Sequence, residues 1–205
     1  MNIQGKGTQQ NTYDAIVIGS GISGGWAAKE LSEKGLETLV LERGRDVKHG
    51  EYPTAHTEPW EFAGRSKSTQ QDLTRQQKQN RTGYTTHPAS AHWFVDDVDN
   101  PYSEDQPFDW MRGYHVGGRS LLWGRQSYRL GDLDFTANAK DGMSIDWPIR
   151  YKDLSPWYDY VEQYAGISGS RDGLSQLPDG KFLPPMDMTC VEEHVRDRIK
   201  SSFNN

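Results

Sequence analysis

Residues 13–44 read YDAIVIGSGISGGWAAKELSEKGLETLVLERG, and the order of residue types predicts a strand, a glycine turn, a helix and a second strand that ends in an acid. Ala15 to Ile18 is a short apolar, β-branched run. Gly19-Ser20-Gly21-Ile22-Ser23-Gly24 then spells G-x-G-x-x-G, and Trp26, Ala27, Glu30 and Leu31 continue at helical spacing up to Gly35, a C-cap glycine. Thr38 to Leu41 is the second strand, and Glu42 closes it eighteen residues beyond Gly24.

Each part of this stretch suits a dinucleotide. Gly19 permits the tight turn out of the strand, Gly21 lets the backbone approach a pyrophosphate, and Gly24 lets the helix pack closely on the strand. The helix N-terminus presents unpaired N–H groups to the same anion. Glu42 stands where a carboxylate accepts hydrogen bonds from a ribose diol and repels a 2′-phosphate. Two other readings stay open on the residues alone. A glycine-rich turn that only packs well leaves Glu42 unexplained. Gly21-Ile22-Ser23-Gly24-Gly25 also fits G-x-S-x-G, the nucleophile elbow of an α/β-hydrolase with Ser23 as nucleophile, which leaves both Gly19 and Glu42 unexplained.

The remaining chain bounds the function. At 205 residues it holds one large domain, or one domain and part of another. A net charge of −6 provides no global field for nucleic acid or an anionic membrane surface. Apolar residues make up only 34%, while 21 glycines and 7 tryptophans indicate irregular backbone around aromatic anchors. Cys190 is the single cysteine, so no intrachain disulfide, iron–sulfur cluster or thiolate zinc site forms. No apolar run reaches the length of a membrane span, and residues 1–12 are polar, with no signal-peptide core.

Along the chain, residues 65–81 are almost wholly polar and are expected as a solvated loop or polar helix. His87 and His92 flank Pro88 and read as surface histidines rather than a metal pair. Residues 92–98 allow a strand. Val116-Gly117-Gly118-Arg119-Ser120-Leu121-Leu122-Trp123-Gly124 is a second glycine loop, on its own either a turn between buried segments or a site whose backbone N–H groups and Ser120 hydroxyl meet a ligand. Ser155-Pro156 predicts a helix start, with Trp157, Tyr158, Val161, Tyr164 and Ala165 as its core face. Thr189 and Glu192 form a capping box for a last helix striped by Val191, Val195, Ile199 and Phe203, which nothing in the chain answers.

With both glycine loops in view, the chain resembles the N-terminal part of the glucose-methanol-choline oxidoreductases. The matches are Asp14 to Gly21, Leu41-Glu42-Arg43-Gly44, Val116-Gly117-Gly118-x-Ser120, and Asp146-Trp147-Pro148-Ile149 leading to Tyr158. Trp123 places it nearest the gluconate, fructose and glucoside 3-dehydrogenase flavoproteins and the pyranose oxidases.

The resemblance implies an α/β, Rossmann-like FAD-binding βαβ with the beginning of a substrate domain, incomplete within these residues. Residues 1–12 are then a disordered lead-in and residues 13–135 the FAD-binding part: βαβ at 13–44, irregular excursion at 45–100, second flavin loop at 111–130. Residues 136–205 start the substrate domain. Gly19, Gly21 and Gly24, with Ser23 in the same turn, would hold the pyrophosphate and Glu42 the adenosine ribose; Arg43, just past the strand, either lies near the base or is solvated. Gly117, Gly118 and Ser120 would line the path to the flavin, with Trp123 and Gly124 beside it. Leu122 replaces the histidine that bonds covalently to flavin in pyranose oxidases, so FAD is expected to be non-covalent. The implied reaction is hydride transfer from a CH–OH group of a sugar, glycoside or sugar acid, with a small subunit or cytochrome as electron acceptor. It is expected in the cytoplasm, or in the periplasm by co-export with a signal-bearing partner. The family's catalytic histidine has no match here and His115 is not it by position. A non-catalytic FAD-binding fragment is the alternative.

Overall fold

In the computed structural model, residues 12–62, 64, 67–82 and 86–203 are described. The expected lead-in therefore lies outside the described residues, apart from Thr12. The chain divides into two compact units, Met1–Gly124 and Arg125–Asn205.

The first unit is built on strand β1 (Ala15–Ile18), helix α1 (Ile22–Glu33) and strand β2 (Thr38–Leu41). The strands pair in parallel with Ala15 opposite Thr38 and Ile18 opposite Leu41, as a crossover connection through a helix allows. Asp14 and Glu37 clamp the lower end through Asp14 N–H to the Glu37 carbonyl at 2.9 Å and Glu37 N–H to the Asp14 carboxylate at 2.8 Å. Gly35 closes α1 by donating to the Ser32 carbonyl at 3.0 Å. Val17 is buried beneath α1, whereas Ile16 and Ile18, on the opposite face, are 60% and 85% exposed. Beyond β2 the backbone pairs again: Arg45 and His115 form a parallel bridge, with Val116 N–H donating to the Arg45 carbonyl at 2.9 Å.

The polar stretch expected to be solvated is partly interior. It forms helix α2 (Gln70–Arg75) and a 3-10 turn at Gln79–Thr82, and Gln76 and Gln79 are buried. The correction has a clear cause, since primary amides meet backbone groups that a folded loop cannot pair itself. Gln76 Nε2 donates to the carbonyls of Ala91 and Phe94 at 2.9 and 3.2 Å. Gln79 donates to Asp97 at 2.8 Å and to the Trp110 carbonyl at 3.0 Å, and accepts from Arg112 N–H at 2.8 Å. These bonds leave no strand at residues 92–98; Ala91–Trp93 is a 3-10 turn instead.

The second unit holds helices α3 (Asp132–Asp141), α4 (Tyr151–Ala165) and α5 (Cys190–Phe203). Helix α4 begins four residues before the expected Ser155 cap. Asp153 accepts from Arg150 N–H and Asp132 accepts from Tyr151 N–H, both at 2.9 Å, so the first turn is capped earlier and Pro156 falls inside the helix. Its buried face is polar rather than aromatic: Trp157 and Tyr164 are 64% and 61% exposed, while Glu162 is buried against Arg129. Glu162 takes Arg129 in a two-point grip at 2.7 and 2.6 Å, Asp159 and Tyr151 add bonds at 2.6 and 2.8 Å, and Lys181 N–H donates to Glu162 at 2.9 Å. Glu162, with Asp159 and Tyr151 behind it, holds the Arg129 guanidinium well above its ordinary pKa despite burial. The capping box at Thr189 forms as read, and Val191, Val195, Ile199 and Phe203 are exposed along α5.

Breaking the Arg129–Glu162 pair removes the buried two-point partner of a buried cation and leaves it only the more exposed Asp159 carboxylate. Glu162→Ala is expected to lower unfolding free energy by about 3–5 kcal/mol in urea titration. Removing the half-exposed Lys181–Asp159 contact by Lys181→Ala is expected to change it by at most about 1 kcal/mol.

Candidate functional site

The turn after β1 is shaped by two glycines. Gly19 takes φ +89°, a left-handed conformation that side chains disfavour, and its N–H extends the ladder to the Leu41 carbonyl at 2.7 Å. Gly24 lies so close to the turn that a Cβ there would overlap the Gly19 carbonyl oxygen and crowd its carbon. Gly21 differs from both, because a Cβ built on it meets nothing within 4 Å. It is the N-cap of α1 with extended backbone and no side-chain cap, so the first N–H groups of the helix open onto free space.

That space is a cavity of about 570 Å³ lined by Ile18, Gly19, Gly21, Ile22, Ser23, Gly24, Arg119, Ser120 and Trp123. The second glycine loop thus forms the wall facing the first. Gly117 takes φ +87° and starts a 3-10 turn at Gly118–Leu121, and a Cβ on Gly118 would stand 3.3 Å from Gly21 Cα. Ser120 turns its hydroxyl back to the Gly117 carbonyl at 2.7 Å, which stiffens the loop. Arg119 forms no ion pair with a carboxylate among the described residues.

Glu42 is not among the cavity-lining residues; it stands at the end of β2, bonded to Ser20 of the turn. One carboxylate oxygen accepts from Ser20 N–H at 2.8 Å and the Ser20 hydroxyl at 2.6 Å, and the other from Gly44 N–H at 2.7 Å. Burial pushes the carboxyl up, but the Ser20 hydroxyl and the N–H groups of Ser20, Gly44 and Arg43 together outweigh it, so its pKa lies below the ordinary glutamate value. Arg43 stacks on the Tyr114 ring, 3.7 Å from its centroid. Gly124 lies outside the cavity lining. His115 is buried edge-on against Trp93, with ring centroids 5.6 Å apart, and burial chiefly lowers its pKa.

Of the residues singled out in the sequence, Gly19, Gly21, Ser23, Gly24, Ser120 and Trp123 therefore come together on one cavity. Gly118 packs against Gly21, and Glu42 and Gly117 are joined to the turn through Ser20. Sequence reasoning missed Ser20, Ile18, Ile22 and Arg119; a cation beside paired glycines was the available signal for the last. The hydrolase elbow fails on geometry. Ser23 sits in the first turn of α1 without positive φ and with no hydrogen bond to a histidine among the described residues, and the strained position is Gly19.

A family model described as an NAD(P)-binding Rossmann-like domain matches residues 17–48. Gluconate 2-dehydrogenase flavoprotein from Pantoea cypripedii is 31% identical over 172 residues, 77% of this chain and 26% of that protein. 2-Methyl-1,2-propanediol dehydrogenase from Mycolicibacterium austroafricanum is 29% identical over 166 residues, 79% of this chain and 26% of its own length. The fructose dehydrogenase large subunit from Gluconobacter japonicus is 26% identical over 191 residues, 90% of this chain and 32% of that subunit. The homologues of this chain are oxidoreductases of the glucose-methanol-choline type. The chain spans about a quarter to a third of the length of these glucose-methanol-choline relatives. The Rossmann-like match covers β1 from Val17, the turn, α1, β2 and Glu42, the segments whose geometry is given above.

Two glycines separate packing from binding. Gly24→Ala is expected to destabilise the first unit by about 1–3 kcal/mol because the added methyl forces α1 off the turn. Gly21→Ala is expected to keep the wild-type melting curve, since a Cβ there meets no protein atom within 4 Å, yet to weaken dinucleotide binding in a titration. For Glu42 the folded pKa is depressed, so its stabilisation is complete above the ordinary glutamate value and is lost as pH falls below it through the lowered folded value. Glu42→Gln is expected to flatten that part of the stability–pH curve.

Proposed function

We propose that this protein is an FAD-dependent oxidoreductase that takes hydride from a CH–OH carbon of a sugar, glycoside or sugar acid. The observation carrying this reading is the meeting of the two glycine loops on one cavity whose floor is an uncapped helix N-terminus. The residues present fit a dinucleotide: Gly21 leaves open space, α1 offers unpaired N–H groups, and Glu42 stands at the strand end as an ionised acceptor.

Gly21, Ser23 and Gly24 would hold the pyrophosphate, with Arg119 as a second positive source on the opposing loop. Glu42 would accept from the ribose diol, and Arg43, held over the Tyr114 ring, would meet the base. Gly117, Gly118, Ser120, Trp123 and Gly124 would shape the approach to the flavin. Bound FAD supplies the hydride acceptor. No residue of this chain is assigned as the base that takes the hydroxyl proton. Among the described residues lining the cavity there is no histidine, cysteine or tyrosine, which supports non-covalent attachment. Substrate class follows the names of the gluconate and fructose dehydrogenase relatives, and the designation "large subunit" supports a partner subunit as electron acceptor. Among the described residues no helix is long and apolar enough to cross a membrane.

The purified protein, loaded with FAD, is expected to give up all its yellow colour to the supernatant on acid precipitation. Colour retained in the pellet would overturn non-covalent binding, and failure to take up FAD at all would overturn the cofactor assignment.

A further inference from the structure

Ser20 occupies a variable position of the G-x-G-x-x-G turn, yet its side chain is engaged on two sides. The hydroxyl donates to the Glu42 carboxylate at 2.6 Å and accepts from Gly117 N–H at 3.0 Å. Its own N–H donates to the same Glu42 oxygen at 2.8 Å. A hydroxyl has one proton and two lone pairs. With the proton committed to Glu42, the lone pairs are left to face Gly117, so the direction of the carboxylate determines how well the second loop is held. Gly44 N–H at 2.7 Å on the other oxygen limits how far the carboxylate turns. The chain of bonds is part-buried throughout, where successive hydrogen bonds polarise one another.

We propose that Ser20 is a positioning residue that couples the two halves of the cofactor cavity. A ribose diol on Glu42 fixes the carboxylate, the carboxylate fixes the Ser20 hydroxyl, and the hydroxyl fixes the Gly117 end of the loop that carries Arg119, Ser120 and Trp123. The adenosine half of the ligand thereby prepares the wall that receives the flavin half. This inference rests on the dinucleotide reading above. An alanine at position 20 keeps the backbone N–H to Glu42 but removes the hydroxyl that accepts from Gly117 N–H.

The test uses two probes on the purified protein, ADP for the adenosine half and FAD for the whole cavity. Ser20→Ala is expected to weaken FAD binding about five- to tenfold, the worth of one hydrogen bond, and to leave ADP binding within about twofold. Equal loss for both probes, or no loss for either, overturns the coupling and leaves Ser20 a structural residue. A second measurement needs no variant: hydrogen exchange of the Gly117 amide in the wild-type protein is expected to slow when ADP saturates the site. An unchanged exchange rate overturns the coupling. Wild-type protein that binds ADP but not FAD overturns the flavin reading while the exchange experiment still decides the coupling, and protein that binds neither overturns both.

Discussion

At the end of β2 a single carboxylate collects donors from two segments of chain, and the first unit is arranged around that meeting. Glu42 accepts two donors from Ser20 and one from Gly44, so the turn leaving β1 and the chain leaving β2 are held by the same charge. The parallel pairing of β1 with β2 brings these ends together, and the Gly19 bond to Leu41 continues the ladder to them. From Ser20 the constraint passes to Gly117, while the backbone of Tyr114 to Val116 pairs with Arg45 just past Glu42. Gly44 is pressed so closely on His115 that a Cβ would overlap its backbone nitrogen. A charged hydrogen-bond acceptor is stronger than a neutral one, which suits a junction of three loops that buries little apolar surface.

Polar interiors recur in both units. Val17, Val95 and Phe135 are the buried apolar side chains of the described residues, while Gln76, Gln79, Asp97, Arg112, His115, Arg129 and Glu162 are buried beside them. The Gln76, Gln79 and Arg129 side chains hold the fold through hydrogen-bond geometry rather than through area, each matched to specific carbonyls and carboxylates. An interior of this kind tolerates little substitution, because removing one partner leaves the other desolvated and unpaired. It also accounts for a chain with only 34% apolar residues forming compact units.

The βαβ and its glycine turn were legible because local rules decide them: apolar β-branched runs, a turn that only glycine accommodates at Gly19, and helical spacing after it. The capping box at Thr189 is local in the same sense. The buried glutamines were not legible, because burial of an amide depends on which distant carbonyls remain unpaired, and Gln79 finds its partners at Asp97, Trp110 and Arg112. Helix α4 was misplaced for a related reason, since its cap comes partly from Asp132, nineteen residues earlier. At the site, glycine spacing pointed to the cavity wall, but nothing in the spacing showed that Ser20 bonds both the Glu42 carboxylate and Gly117.

The bond between Ser20 and Gly117 joins residues 97 apart in sequence, whereas Ser20 and Glu42 are separated by 22. Closing a longer loop costs more chain entropy, so contacts of short separation form at lower cost during folding. The βαβ and its carboxylate clip are thereby favoured as the early structure, and the second loop docks on a platform whose acceptor is already aimed. In a nascent chain leaving the ribosome from its N-terminus, that order also matches the order of synthesis, because the clip is complete before Gly117 has been added.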